Sequence, residues 1–466
     1  MNGIVSYGVH LPYWRLDRSK ITQTLGQGGG RGTRSVASFD EDATSMGVEA
    51  GRRALAAAAP GYGGPGILAY ATTAPGYLDK TNATAIHAAL RLDDCVPAFD
   101  VGGAAKSGTA ATIMAHNGGI AVLSDVRTGR PGSADEAAGG DAAVALIFGD
   151  DAVIAEPVGY APVTAEFVDR WRVPGESYSR QWEERFGEHA YVPLATQAVG
   201  DVLKQADVQI GDVDHAIVAG LHTRSVKAVS KQLGCAPERL ADDLLDTIGN
   251  TGTAHWALML ANVLDQASPG DLVLVAHLAD GCDASLLRVT DEIVAFRERQ
   301  RSTAAEQLAA TTTELDYSSF MTWRGFLERE PPRRPEPDRP ASPPSLRGNA
   351  WKYGFVGGQD DGGFIHLPPG RVSVESGAID EMTPVPMADR RATIATFTID
   401  RLAYSLAPPV VAAIVDFDGG GRMQVELTDV DPAEVKIGDR VEMTFRRLYT
   451  VDGIHNHFWK ARPVRS

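Results

Sequence analysis

Phe99-Asp-Val-Gly-Gly-Ala-Ala105-Lys-Ser-Gly-Thr-Ala-Ala111 is the stretch on which the reading of this chain turns. The run 96–101 reads as a buried strand, Gly102-Gly-Ala104 as a sharp small-residue turn, and 106–117 as a helix. A strand, a tight turn and a helix N-terminus in that order present one side chain at the turn. A thiol there would be exposed and its pKa lowered. The residue at that point is Ala105, so the setting for a nucleophile is present without the thiol.

The same alternation extends in both directions. Short apolar runs at 67–72, 121–126, 143–148, 214–220 and 271–278 read as further buried strands, and 41–58, 190–206, 225–233 and 251–266 as helices. This order predicts an α/β fold with a mostly parallel sheet. Asp40 or Asp42 is placed to cap the helix over 41–58. A weak internal repeat is visible. Ser107-Gly-Thr-Ala-Ala-Thr-Ile-Met-Ala115 resembles Thr251-Gly-Thr-Ala-His-Trp-Ala-Leu-Met259, and each is followed by a Gly-Asp and a strand, at Gly140 and Gly270. Two equivalent halves with helices in close approach would explain both copies; chance in an Ala/Gly-rich chain is the alternative.

A charged helical stretch is expected over about 287–329, and Pro331-Pro-Arg-Arg-Pro-Glu-Pro-Asp-Arg-Pro-Ala-Ser-Pro-Pro344 reads as an extended linker. Beyond it, β-rich segments at 391–399, 409–417, 422–428, 440–449 and 454–461, with turns at Asp416–Gly421 and Asp452-Gly453, predict a small barrel. The expected division is 1–160 and 161–300 as two halves of one fold, 301–349 as helical segment and linker, and 350–466 as a ribbon and barrel domain.

Bulk properties exclude several classes. The 466 residues carry a net charge of −16, which gives no electrostatic route to nucleic acid or an anionic membrane. No apolar run reaches the length of a membrane span. Cys95, Cys235 and Cys282 are scattered without metal spacing and read as reduced thiols, and the N-terminus shows no secretory pattern, so a cytoplasmic location is expected.

Asp40-Glu-Asp-Ala-Thr-Ser-Met-Gly-Val-Glu-Ala50, Ala104-Ala-Lys-Ser-Gly-Thr-Ala110, Gly220-Leu-His222 and Ile248-Gly-Asn-Thr-Gly252 together resemble the thiolase superfamily, within it the archaeal-type 3-hydroxy-3-methylglutaryl-CoA synthases and ketoacyl synthase III enzymes. Trp351-Lys-Tyr353, His366-Leu-Pro-Pro369, Asp429-Val-Asp-Pro432 and Asp452-Gly-Ile-His-Asn-His-Phe-Trp459 resemble the zinc-ribbon and OB-fold domain that partners thiolases. The resemblance implies a duplicated thiolase-like α/β fold with a C-terminal OB-fold β-barrel domain, a homodimer, and a coenzyme A or acyl-carrier thioester as substrate. It also implies three departures. The family nucleophile falls on Ala105 and its catalytic glutamate on Thr73. The ribbon's four cysteines fall on Gln359, Gly362, Ser373 and Ser376. Without those thiolates no metal is expected; Ser373, Ser376 and Gln359 would hold the ribbon by hydrogen bonds.

Candidate site residues follow. His222 ends an apolar run at the C-terminal end of a strand, where ligands gather in α/β sheets. Its imidazole N–H would donate to a thioester oxygen gaining charge; a satisfied structural histidine is the alternative. Asn250 would donate a second hydrogen bond or serve as a helix cap, or both. Cys282, in Leu278-Ala-Asp-Gly-Cys-Asp-Ala284, resembles the thiolase loop that carries a second cysteine; a small buried residue is the alternative, and Asp280 and Asp283 would raise its pKa. In Gln27-Gly-Gly-Gly-Arg-Gly-Thr-Arg34, Arg31 and Arg34 are candidates for CoA phosphates, against a surface loop. The aromatic and basic stretch 171–186 either roofs the acyl channel or packs at a dimer interface. His455, His457 and Trp459 alternate on one strand, as barrel-surface residues rather than a metal site.

The implied function is C–C bond chemistry on an acyl thioester without an acyl-cysteine: aldol, retro-aldol or decarboxylation. The alternative is a non-catalytic subunit channelling acyl-CoA to a thiolase partner.

Overall fold

The computed structural model describes residues 2–333, 335 and 337–465. They form two compact units. The first runs to Ala37 and includes Glu49–Thr84 and Asp93–Tyr317; the second comprises Ser38–Val48, Ala85–Leu92 and the chain from Ser318 on.

The first unit is built on one nine-stranded sheet. In spatial order its strands are His215–Gly220, Leu272–Leu278, Gly281–Val289, Ala155–Thr164, Gly3–His10, Ala142–Gly149, Ile120–Asp125, Leu68–Thr72 and Ala98–Gly102. Its six expected strands lie within two residues of their expected bounds. The expectation of a mostly parallel sheet is corrected. His215–Gly220 with Leu272–Leu278, and Leu68–Thr72 with both Ala98–Gly102 and Ile120–Asp125, are parallel. The other neighbours are antiparallel. The difference comes from Gly3–His10, Ala155–Thr164 and Gly281–Val289, which the hydrophobic pattern did not single out. Ala155–Thr164 carries Pro157, Gly159 and Pro162. It pairs along its length with Gly281–Val289 but touches Gly3–His10 only at Ala155. Its second edge is therefore open over both prolines, where a missing N–H leaves no ladder bond unmade. Gly281–Val289 took the place of the first part of the expected helical stretch.

The two copies of the small-residue repeat open the helices Ser107–Ala115 and His255–Leu264, the second preceded by a short 3-10 turn at Gly252–Ala254. Their N-terminal ends are in close approach. A Cβ on Gly108 would stand 2.5 Å from the Thr253 carbonyl oxygen, so only glycine fits. Nearly every side chain of His255–Leu264 is buried, as expected of a helix apolar on all sides.

In the second unit, Ala392–Asp400, Val410–Phe417, Arg422–Leu427, Arg440–Val451 and Ile454–Pro463 form a five-stranded barrel. Ala392 and Thr393 pair with Val441 and Arg440, and Leu427 with Ala461, which closes the sheet on itself. The alternating buried and open pattern of Val410–Phe417 is the period-2 signature of a barrel strand. The unit begins upstream of the proline-rich segment. Trp323 donates its indole N–H to the Leu406 carbonyl (3.2 Å) and its ring lies 6.1 Å from Phe39. The proline-rich segment itself ends in a helix, Ser342–Arg347, whose prolines occupy the first turn, where no intrahelical N–H is needed.

Three strands, Val356–Gln359, Ile365–His366 and Thr383–Pro386, make the ribbon. Its centre is Asp360. One carboxylate oxygen accepts from Ser373 Oγ (2.6 Å) and lies 3.3 Å from His366 Nε2, while the other accepts the Phe364 N–H (2.8 Å). Ser373 Oγ in turn accepts the backbone N–H groups of Glu375 and Ser376, and Gln359 donates to the Gly363 carbonyl. Hydrogen bonds thus hold the ribbon, with Asp360 the hub that sequence reading had not named.

Asp42 caps the helix Ala43–Ala57. Its Oδ1 accepts the Ser45 N–H (2.8 Å), Ser45 Oγ accepts the Asp42 N–H (2.9 Å), and Asp42 Oδ2 lies 2.8 Å from Nε2 of the buried His457. Asp40 has a different task. It is fully buried and meets Arg446 Nη1 (3.2 Å), Lys460 Nζ (3.0 Å) and Thr428 Oγ1 (3.0 Å). Burial alone would push its carboxyl up, but the Lys460 ammonium and the Arg446 guanidinium outweigh burial and hold it at about 2. A depressed carboxyl stabilises the folded state above its ordinary pKa and loses that contribution as pH falls through the folded value. The second unit is therefore expected to lose stability as pH falls from about 4 towards 2. The Asp40→Asn variant should show a shallower loss over that window in acid titrations followed by circular dichroism; an unchanged slope would refute the assignment.

Candidate active site

A cavity of about 620 Å³ opens in the first unit where several strands end. Ala105 contributes from the turn before Ser107–Ala115, His222 from the turn after His215–Gly220, and Leu278, Ala279 and Asp280 from the turn after Leu272–Leu278. Thr73 enters from the turn after Leu68–Thr72, and Trp171 with Val173–Glu176 covers another side. Carboxyl ends of strands are where α/β folds place their ligands. Part of the 171–186 stretch is thus a wall of this cavity.

Ala105 is 7% exposed, and its carbonyl accepts the Gly108 N–H at the helix start. The neighbouring Lys106 reaches across to the Ala279 carbonyl (3.2 Å) and the Asp283 carboxylate (3.0 Å), tying the two turns together. No side chain at 105 can form an acyl ester.

His222 is the N-cap of the helix Thr223–Gln232. Its Nδ1 accepts the Ser225 backbone N–H (3.1 Å) and lies 2.7 Å from Ser225 Oγ. An accepting Nδ1 fixes the neutral tautomer with the proton on Nε2. The ring is backed by Gly187 in the helix Glu184–Ala206: a Cβ there would stand 2.5 Å from Nε2. Tyr191, one turn on, has its ring 6.4 Å from the imidazole. Gly187 had no signal in the sequence, since nothing local marks a glycine that faces a distant ring.

Asn250 is brought to the end of the same strand but not to the cavity wall. Its Nδ2 donates to the Gly220 carbonyl (2.8 Å) and its Oδ1 accepts the Gly252 N–H (3.0 Å). It fixes the backbone two residues before His222 and shapes the turn that starts the following helix, so it is placed as a positioning residue.

Cys282 is fully buried between the partners of its strand and packs with Val163, Tyr191 and Leu278. Burial, aided by the Asp283 carboxylate and opposed by Lys106, pushes the thiol up to about 12, so it is protonated at neutral pH. It is not among the residues lining the cavity. The geometry is that of a small core residue.

Arg34 is corrected from a phosphate candidate to a core residue. Its guanidinium is fully buried, donates to the carbonyls of Arg127 (2.8 Å) and Glu136, and lies 3.5 Å from the buried Asp141 carboxylate. No face is left for a phosphate. The glycines around it serve backbone geometry: Gly32 has φ +78° and a Cβ on it would stand 2.2 Å from the Asp246 carbonyl oxygen. Arg31 stays exposed in that loop.

Thr73, where the resemblance places the family's glutamate, lines the cavity, and the arginines around it were not foreseen. Thr73 N–H donates to the buried Asp125 (2.5 Å), Thr73 Oγ1 accepts from Arg127 Nη1 (3.3 Å), and the Thr73 carbonyl accepts from Arg172. Arg170 lies in the same wall, 2.5 Å from Asp135. Burial and the nearby Arg127 both lower the pKa of Arg170 and of Arg172. The cavity is also lined by the carboxylates Asp169 and Asp280. Asp280 has a positive φ of 45°, and its carboxyl is raised by partial burial and by Asp169.

With this geometry established, comparison with known proteins is informative. Residues 203–288 match the model for the 3-oxoacyl-[acyl-carrier-protein] synthase III C terminal, and residues 384–446 match the C-terminal OB-fold domain of ChsH2. The chain has a thiolase-like α/β fold and a C-terminal OB-fold domain. This thiolase-like chain is 28% identical over 346 residues to the hydroxymethylglutaryl-CoA synthase of Methanosphaera stadtmanae, covering 70% of this chain and 99% of that one. It is 29% identical over 315 residues to that of Methanopyrus kandleri, covering 64% and 90%. Among solved structures, an HMG-CoA synthase complexed with CoA superposes with a TM-score of 0.59 at 17% identity, covering 69% of this chain and 89% of that one. 3-Oxoacyl-[acyl-carrier-protein] synthase III of Aquifex aeolicus superposes with 0.53 at 20% identity, covering 62% and 100%. These likenesses establish the thiolase-like fold.

Among the described residues, no group of three or more His, Cys, Asp or Glu side chains is arranged to hold a metal ion, and no helix is long and apolar enough to cross a membrane.

Proposed function

We propose that this thiolase-like protein makes or breaks a C–C bond on a CoA or acyl-carrier thioester without forming an acyl-enzyme. The observation that carries the reading is His222 in the cavity wall with its Nδ1 occupied by the Ser225 N–H, beside an alanine where a nucleophile would stand. Such an imidazole donates from Nε2 to an oxygen that gains charge. Retro-aldol cleavage of a 3-hydroxyacyl thioester uses that donor. The hydroxyl proton passes to a base, and the 3-carbon becomes the carbonyl of a released aldehyde or ketone as the C2–C3 bond breaks. That bond's electron pair moves to the α-carbon and thioester oxygen as an enolate, and protonation of the α-carbon leaves the shorter thioester. Asp280 supplies a carboxylate of raised proton affinity in the same wall. The CoA in one similar solved structure supports a CoA thioester as ligand. Calorimetric titration with CoA and acetyl-CoA tests the reading: saturable binding is expected, and none would favour a scaffold that assembles with an active thiolase. Unpaired Cys95, Cys235 and Cys282 accord with a reducing, cytoplasmic location.

A homodimer belongs to the same proposal. Ala98–Gly102 is an edge strand with an unpaired side, and the exposed Phe99 (47%), Ile113 (54%) and Met114 (41%) lie on it and on the helix that follows. Light scattering is expected to give twice the chain mass, reduced to the single mass by Phe99→Lys; a monomeric wild type would refute it.

A further inference from the structure

We infer that the cavity carries a subsite for a negatively charged group on the acyl part of the substrate, formed by Arg127, Arg170 and Arg172 around Thr73. The inference rests on the thioester reading and narrows it to acyl chains ending in a carboxylate.

Three arginines from two parts of the chain, Arg127 and the pair Arg170 and Arg172, line the cavity. Two of them are fastened to a single residue: Arg127 to the Thr73 hydroxyl and Arg172 to the Thr73 carbonyl. Both bonds are to neutral oxygens, so neither cation is compensated there. Asp135 serves the other side of the group, at 2.5 Å from Arg170 and 4.0 Å from Arg127. Among the described residues no carboxylate lies within ion-pair distance of Arg172. Asp125, the acidic neighbour of Thr73, is turned to neutral donors, accepting from Thr72 Oγ1 and from the backbone N–H groups of Thr73 and Thr253. Asp169 and Asp280 also line the cavity and act electrostatically on Tyr191, and Asp169 acts on Arg170 as well.

Desolvating guanidinium groups without matching counter-charge is unfavourable. Arg127 and Arg170, whose side chains are 9% and 13% exposed, share the single Asp135 carboxylate, and Arg172 feels Asp125 and Asp135 only at a distance, without an ion pair. The arrangement is also built rather than incidental: the buried Arg34 holds the Arg127 carbonyl, and Asp141 accepts the Arg127 N–H (2.7 Å). Arginine presents two parallel N–H groups to a carboxylate, so a carboxylate between Arg127 and Arg172 would complete both. Phosphate groups of CoA offer the same chemistry, and the test separates the two sources.

The experiment is calorimetry of the whole protein with free CoA, butyryl-CoA and succinyl-CoA, which differ at the acyl end by a methyl in place of a carboxylate. Succinyl-CoA is expected to bind at least about tenfold more tightly than butyryl-CoA, as hydrogen bonds to a charged group imply. Arg172→Gln should remove that difference and leave free CoA and butyryl-CoA within about twofold, and Arg172→Lys should keep part of it. Circular dichroism establishes that each variant is folded; Arg170→Gln is the substitute where Arg172→Gln is not. Equal affinity for the two acyl-CoAs in wild type overturns the inference. A loss shared by free CoA places the arginines on CoA phosphates and also overturns it. Failure of every CoA species to bind overturns the thioester reading together with this one.

Discussion

Arg446→Met is expected to destabilise the second unit by about 3–5 kcal/mol, the largest stability effect of any single change in the barrel. Arg446 is fully buried and its guanidinium meets three carboxylates: Asp40 at 3.2 Å, Glu41 at 3.1 Å and Asp429 at 2.6 Å. Lys460 adds a second buried cation on Asp40. Burial raises the Asp429 carboxyl, Arg446 opposes that rise and Glu41 reinforces it. Removing the guanidinium leaves three buried carboxylates with the Lys460 ammonium on Asp40 and the more distant influence of Arg465 on Asp429. A methionine fills the space but answers none of the charge. The loss therefore exceeds what an exposed pair would give, which is at most about 1 kcal/mol. Denaturant titration followed by hydrogen exchange over Ile454–Pro463 would read the second unit separately. A loss below about 1 kcal/mol would mean that water, not Arg446, carries the charge of the cluster.

His222→Ala is expected to lower turnover of the thioester substrate by about 10²- to 10³-fold, the scale for loss of one preorganised oxyanion donor. The imidazole is a half-buried cap on its helix, so the loss should be mainly in kcat, with the fold retained. Gly187→Ala offers an independent check. The added methyl would lie 2.5 Å from Nε2 and push the ring aside without changing its chemistry, so a comparable drop in kcat is expected. Cys282→Ala should leave turnover within about twofold, because a buried thiol held near 12 is neither a nucleophile nor an acid at neutral pH. Turnover surviving His222→Ala, or lost in Cys282→Ala, would overturn the assignment of roles.

The site was legible in the sequence where a side chain follows an apolar strand. Ala216–Leu221 leads into His222, and Phe99–Val101 into Ala105; in both, the strand's end and the cavity coincide. It was illegible where a role depends on remote partners. Arg34 and Arg127 are both arginines close to glycines in the sequence, yet one lies in the strand Thr33–Val36 and is locked beneath Asp141 and Glu136 while the other lines the cavity. Asp40 and Asp42 were equivalent cap candidates. Only the bonds from Ser45 to one and from Arg446 and Lys460 to the other separate them.

Periodicity, glycine placement and turn residues determined the strands and helices that they mark, because those depend on contacts between near neighbours in the chain. They did so for all five barrel strands and for the helices that follow Ala105 and His222. Tertiary structure alone decided the mixed direction of the sheet, the fit of Gly187 against His222, the burial of Cys282 and the meeting of Arg127, Arg170 and Arg172 at Thr73. Each of those joins residues tens to hundreds of positions apart, and local sequence carries no term for such a contact.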